Sequence, residues 1–307
     1  MSSIKPNLFL PTNFSRRKAL VQSGWIAAGL ALWGCASSPK EEEVNTNTVK
    51  GPPEGVDSKI FNFALNLEFM EAEYYTRGAY GRGLTERGVD VGRNAGEVRG
   101  GSKVQFSKKA LQDHAEELSF NERAHVKFYR TKLGSMAVDR PEIDFVSGFN
   151  AAAAAAGLVS PGETFDPFAD EFNFFLGGML FEDVGVTAYH GAAPLLTNKE
   201  FLAAAAGILA VEAYHMGMVR KLLYDAGEKY RREANEISAA RDTIDGHKGL
   251  DQGIEVDGKA NIVPNDNNGI AFARTPRQVL NIVYLKPGAS KGGFYPSGFN
   301  GDFSGLV

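Results

Sequence analysis

The chain has 307 residues, 43% of them apolar and 23% charged, the composition of a globular protein rather than of a disordered or fibrous one. Its net charge is −4, and residues 1–35 hold four basic side chains (Lys5, Arg16, Arg17, Lys18) and no acidic one. The remainder therefore carries 29 basic against 37 acidic groups, net −8, which argues against nucleic acid as a partner. Cys35 is the only cysteine, so an internal disulfide and a thiolate metal site are excluded.

The chain opens on Ser15-Arg16-Arg17-Lys18-Ala19-Leu20, with an apolar run from Trp25 to Trp33 close behind. This resembles a bacterial twin-arginine export signal, with Ala19 where the pattern favours Phe. The run is too short to span a bilayer as a permanent helix. It ends at Leu32-Trp33-Gly34-Cys35, which resembles a lipoprotein cleavage box with a bulky Trp33 where small residues are usual. Residues 1–35 are thus expected to direct export to the periplasm or cell envelope. Cys35 is the candidate for lipidation, and that lipid would be the sole membrane contact. Residues 36–57, rich in Ser, Glu, Asn, Thr, Gly and Pro, cannot bury enough apolar surface to fold and read as a tether.

A first helix is expected over residues 58–79, capped by Asp57 or Ser58 and ended by Gly78 and Gly81. At 100° per residue, Phe61, Ala64, Leu65, Ala72, Tyr75 and Ala79 fall on the same side as Glu68. A carboxylate in the middle of an apolar face needs a compensating partner. Glu71, flanked by Ala64, Leu67 and Tyr75, is the competing position and is expected beside the site if not in it. Glu73 shares its face with Asn66, Thr76 and Arg77 and reads as solvent-exposed. Residues 80–106 alternate Gly with Arg and read as a long irregular insertion, a solvated loop with a lid role as the alternative.

The second helix, residues 108–133, carries Glu122 and His125 one turn apart on a face with Ala115, Leu118, Val126 and Tyr129. Residues 134–169 form a long crossover, with Ala151–Ala156 a candidate short helix. The third helix, 166–192, places Glu182 among Phe175, Met179, Val186, Tyr189 and Ala193, with Asp183 as runner-up. The fourth, 199–226, surrounds Glu212 and His215 with Ile208, Leu209, Met216, Val219 and Leu223. Its short link past Pro194 makes it antiparallel to the third. Residues 58–229 are then one four-helix bundle. Residues 230–307 form a loop-rich extension packed on it, with short helices at 236–244 and 276–284, the second capped by Thr275. Phe272, Val279, Leu280 and Ile282 are its packing residues. His114, His190 and His247 lack a Glu three residues before them and carry little weight.

The two halves repeat one pattern, Glu-x6-Tyr (Glu68/Tyr75, Glu182/Tyr189) followed by Glu-x-x-His (Glu122/His125, Glu212/His215). A single Glu-x-x-His pair is usually a helix-surface contact. Four carboxylates and two imidazoles on four apolar faces are instead the ligand set of a two-metal site. Two divalent ions carry four positive charges, which four carboxylates neutralise while both His stay neutral, and mixed O/N ligands suit iron or manganese. Tyr75 and Tyr189 are expected to hydrogen-bond the carboxylates and orient them.

Leu65-Asn66-Leu67-Glu68-Phe69-Met70-Glu71-Ala72-Glu73-Tyr74-Tyr75 resembles the first helix of the desiccation-related branch of the ferritin-like superfamily. So do Asn261-Ile262-Val263-Pro264, the stretch from Gly269 to Pro276, Val279 to Tyr284, and Gly292-Gly293-Phe294-Tyr295-Pro296. The resemblance covers about residues 56–300. It implies an all-α, ferritin-like antiparallel four-helix bundle with one long crossover, and a capacity to bind two Fe or Mn ions. The expected function is oxidoreductase or peroxide- and dioxygen-handling chemistry in stress protection. The alternatives are a non-catalytic protective scaffold and a metal-sequestering protein.

Overall fold

The computed structural model describes residues 53–307. The expected signal, Cys35 and most of the tether lie outside the described residues. Seven α-helices account for most of the fold: α1 (Gly55–Tyr80), α2 (Lys109–Leu133), α3 (Phe145–Ala155), α4 (Glu171–Ala192), α5 (Lys199–Asp225), α6 (Glu228–Ile244) and α7 (Pro276–Val283). Four of them, α1, α2, α4 and α5, form the bundle. Phe61 near the start of α1 meets Tyr129 near the end of α2, edge-on at 5.0 Å. Tyr74 near the end of α1 stacks on Phe174 at the start of α4, at 4.9 Å. Both neighbours therefore run antiparallel to α1. Because α2 ends at one end of the bundle and α4 begins at the other, the crossover must traverse its full length, as in ferritin-like connectivity.

The α1–α4 contact is close because glycines leave room for rings. A Cβ on Gly78 would lie 2.2 Å from the Phe174 ring, and one on Gly177 2.2 Å from the Tyr74 hydroxyl. That hydroxyl donates to the Phe174 carbonyl at 2.7 Å. A Phe174→Ala change would leave a cavity costing about 3–5 kcal/mol.

Local expectations are corrected in several places. α1 begins at Gly55, so the end of the expected tether is helical, and neither Asp57 nor Ser58 caps it. The buried Asp57 carboxylate instead accepts from the Thr197 and Asn198 amides at 2.8 and 2.9 Å, closing one end of the bundle. α4 starts at Glu171, later than expected, because the Asp170 side chain accepts from the Phe172 and Asn173 amides. The first tail helix, α6, starts at Glu228, so the 229/230 boundary falls within it.

The Gly/Arg insertion is packed rather than freely solvated. Leu84, Val89, Val91 and Val104 are buried, and β1 (Val98–Arg99) pairs in parallel with β2 (Ile143–Asp144) of the crossover. The α3 cap is the Asp144 carboxylate, which accepts from the Ser147 amide.

The tail wraps the bundle. α7 carries a full capping box between Thr275 and Gln278 and buries Val279, Leu280, Ile282 and Val283, while Phe272 stays half-buried. A short antiparallel pair, β3 (Glu255–Val256) with β4 (Lys259–Ala260), lies between α6 and α7. Beyond α7, the Tyr295 hydroxyl donates to the Asn66 carbonyl at 2.9 Å, which ties the C-terminal segment back to α1.

Candidate metal centre

Each bundle helix presents its acidic residue to the common axis. Glu68, Glu122, Glu182 and Glu212 are fully buried, and His125 and His215 are 8% and 4% exposed. Their donor atoms form two groups, Glu68/Glu122/His125/Glu212 and Glu122/Glu182/Glu212/His215, with all atoms of a group within 4.8 Å of one another. Glu122 and Glu212 belong to both. His125 Nδ1 lies 3.1 Å from Glu68 Oε2, 3.3 Å from Glu122 Oε2 and 3.4 Å from Glu212 Oε1. His215 Nδ1 lies 3.0 Å from Glu122 Oε1 and 3.4 Å from Glu182 Oε2. The two oxygens of Glu122 thus face different imidazoles, whose ring centres are 6.4 Å apart. All six residues singled out in the sequence are brought together. Glu68 rather than Glu71 occupies the first-helix position of the cluster.

The donor set fits a pair of cations. His215 Nδ1, Glu122 Oε1, and both oxygens of Glu182 and Glu212 are buried without a hydrogen bond. Buried polar atoms left in this way are rare and costly. His215 and Glu122 approach to 3.0 Å yet at an angle that makes no hydrogen bond, as two groups do when they point at a shared third atom. Oxygen and imidazole donors in this number suit iron or manganese.

The electrostatics show what the cluster does with protons alone. Burial raises the Glu68 carboxyl, His125 pulls it back and Glu122 adds to the rise, leaving it at about 7. Burial drives Glu212 well above the usual range, with Glu122 and Glu182 adding to it. Burial also raises Glu182, against the pull of His215. For Glu122 burial is outweighed by His125 and His215, which hold it far below that range. His215 is lowered by burial but raised more strongly by Glu182 and Glu122, ending at about 11. His125 is raised further still, by Glu68 and Glu122. Protonated imidazoles therefore supply the positive charge that the carboxylates need, and metal binding would displace those protons.

The tyrosines serve the opposite half of the repeat. Seven residues along a helix is about 10.5 Å, too far for Tyr75 to reach Glu68 or Tyr189 to reach Glu182. The antiparallel α1–α4 pairing brings each to the other's carboxylate. Tyr189 donates a short hydrogen bond to Glu68 Oε1, whereas the Tyr75 hydroxyl, beside Glu182 with Gly178 behind it, makes no hydrogen bond, against expectation. Two further residues complete the surround. The Tyr129 hydroxyl bonds that of Tyr189 at 2.8 Å, extending the chain from Glu68. Asn121 meets His215 Nε2 at 3.0 Å. The amide nitrogen is the contacting atom; with Nδ1 on a metal, Nε2 would carry the proton and the amide would turn its oxygen to it. Tyr129 was legible in principle, since it follows Glu122 at the same seven-residue spacing. Asn121 had no such signal.

One expectation fails here, and one runner-up is set aside. Glu73 is fully buried, not exposed. It accepts from Arg77 at 3.0 Å, from the Leu84 amide at 3.3 Å and from Arg140. The insertion and the crossover fold over that face, which helix periodicity cannot register. Asp183 points away from the cluster and accepts from Arg220 at 2.8 Å and from Arg241. Of the histidines given little weight, His190 is half-buried and meets the Phe272 carbonyl at 3.2 Å.

An antiparallel four-helix bundle with a long crossover, enclosing a buried Glu/His cluster, defines a ferritin-like protein. The chain belongs to the ferritin-like domain family, which matches residues 56–225, the four bundle helices. It is similar to the desiccation-related protein PCC13-62 of Craterostigma plantagineum, with 29% identity over 272 residues, 82% of this chain and 85% of that one. It is also similar to the ferritin-like catalase Nec2 of Nesocodon mauritianus, with 27% identity over 288 residues, 87% of this chain and 90% of that one. Both likenesses run well beyond the bundle into the tail. No solved structure matches significantly.

Proposed function

We propose that the chain is a di-metal oxidoreductase that handles peroxide or dioxygen, with iron or manganese held by Glu68, Glu122, His125, Glu182, Glu212 and His215. The observation that carries this reading is the pair of overlapping donor groups sharing Glu122 and Glu212, with their buried acceptors left without hydrogen bonds. Two such ions, when bound, supply paired redox equivalents to a peroxide or dioxygen substrate. The protein's own part is to hold and insulate them. Glu122 and Glu212, shared by the two donor groups, would serve both ions, Glu68 with His125 and Glu182 with His215 would each complete one group, and Tyr189 fixes the Glu68 carboxylate. The aromatic walls of α1 and α4 exclude water.

Similarity to a protein named a ferritin-like catalase supports peroxide as the substrate class, and similarity to a desiccation-related protein supports a stress setting. Export by the twin-arginine route fits, since that route carries folded proteins and lets the metals load first. Acylation at Cys35 would hold the enzyme at the cell envelope.

The test is metal content of natively exported protein by elemental mass spectrometry, together with peroxide consumption. About two iron or manganese ions per chain with turnover is the expected result. Two ions without turnover would indicate sequestration, and no metal in chelator-free preparations would leave only the protective scaffold. Glu122→Ala and Glu212→Ala should each abolish the full two-metal complement while circular dichroism retains the helices. Retention of both metals would refute the ligand assignment.

A further inference from the structure

Among the described residues, buried carboxylates outside the cluster have donors with one exception. Asp57 has the amides of Thr197 and Asn198, Glu73 has Arg77 and Arg140, and Asp144 has Arg99. Glu171 has Ser107, Asp183 has Arg220 and Arg241, and Asp245 has Arg274. Glu71 is 3% exposed and has no such partner. It lines a small cavity between α1 and α4 whose other walls are Leu67, Met70, Leu180, Phe181, Val184, Gly185 and Val283. No cation or donor side chain is among them. An unpaired carboxyl in apolar surroundings is costly to keep.

The one polar direction open to it is toward the metal centre. Gly185 lies one turn beyond Glu182 on α4. A Cβ there would sit 2.4 Å from Glu212 Oε2 and 3.6 Å from Glu71 Oε1, so the two oxygens are within about 6 Å of each other across a gap that only glycine leaves open. The charges nearest Glu71 are those of Glu212, Glu122, Glu182 and Glu68, all carboxylates of the cluster.

We infer that Glu71 is a fifth carboxylate of the metal centre, reaching it past Gly185 on the Glu212 side, an inference that rests on the two-metal reading above. The charges acting most strongly on Glu71 are all carboxylates, and a bound cation would compensate it in the ionised form. Glu73, two residues on, is equally buried but has two arginines, and takes no part in the site. Glu71 thereby adds negative charge and a fifth oxygen donor group beside Glu212. That favours ions of higher charge and larger coordination number over small four-coordinate ones.

The experiment is a Co(II) titration of metal-free full-length protein, followed by d–d absorption, for wild type, Glu71→Gln and Glu71→Leu, with thermal melts of each metal-free form. The expected result is that wild type takes up two Co(II) per chain. Both variants should bind the second ion at least tenfold more weakly with an altered visible spectrum, while their metal-free melts match or exceed wild type. Titrations and spectra identical to wild type would overturn the role of Glu71. Wild type that binds no Co(II) would instead overturn the two-metal reading itself, so the two failures are distinct. Glu71→Leu fits the apolar cavity without a polar group, so it keeps the test decisive should Glu71→Gln fold poorly.

Discussion

Glu182 and Asp183 are neighbours in α4 and enter two different buried charge clusters. Glu182 joins four carboxylates and two imidazoles in the bundle core. Asp183 joins Asp245 and Asp251, which face Arg220, Arg241 and Arg274 beneath the tail. The second cluster is balanced in charge within the protein. Its three acids match three guanidinium groups, most of the remaining donors find carbonyls, and only Asp183 Oδ1 and Arg220 Nε are left buried without a hydrogen bond. Arg220 donates to the Gln252, Gly253 and Asn261 carbonyls at 2.9, 2.7 and 2.9 Å, and Arg241 to that of Met179 at 2.8 Å. The first cluster is not complete. Its two imidazoles cannot match four carboxylates even when both are protonated, so carboxyls must take up protons too, and it leaves six donor atoms without hydrogen bonds. A buried charge network that closes on itself holds the fold together. One that stays open is arranged for something that arrives from outside, which the proposed function takes to be metal.

The largest effect should come from breaking the closed network. Arg241→Ala leaves Asp183 and Asp251 buried with less compensation, and should destabilise the protein by about 3–5 kcal/mol. A denaturant melt reads this directly. A loss no greater than that of Glu182→Gln in metal-free protein would erase the distinction between the clusters. Next comes Glu73, whose removal takes from Arg77 and Arg140 the carboxylate they share. Glu73→Gln should cost about 1.5–3 kcal/mol and leave the metal stoichiometry unchanged, which elemental analysis would check.

The closed network should also be acid-sensitive. Burial would raise the Asp251 carboxyl, but Arg241 and Arg274 outweigh it and hold it below its ordinary value. A carboxyl depressed on folding stabilises the protein above its unfolded pKa of about 3.9 and loses that contribution as the pH falls through the folded value. Amide protection in residues 245–275, corrected for intrinsic exchange, should therefore fall as the pH drops below about 3.9, and unchanged protection in acid would contradict the assignment. The smallest effect is expected at Tyr129. Tyr129→Phe removes one hydroxyl from the chain leading to Glu68 and should cost about 1 kcal/mol, with the helices and metal count intact.

The periodicity of apolar positions and the repeated Glu-x-x-His and Glu-x6-Tyr spacings determined by themselves the four bundle helices and the six residues that meet at the centre. These are relations within single helices, and a helix has a fixed pitch that spacing can encode. Only the tertiary structure decided which tyrosine serves which carboxylate, because α1 and α4 run in opposite directions and exchange their partners. It alone buried Glu73, by folding the insertion and crossover over a face that reads as polar. It alone turned Asp183 toward Arg220 and Arg241, the second supplied by α6 from 58 residues away in the chain. It alone left Glu71 unpaired beside Gly185. Pairings of that kind depend on which segments meet across long separations, and that is set by packing of the whole chain, not by the spacing of residues along one helix.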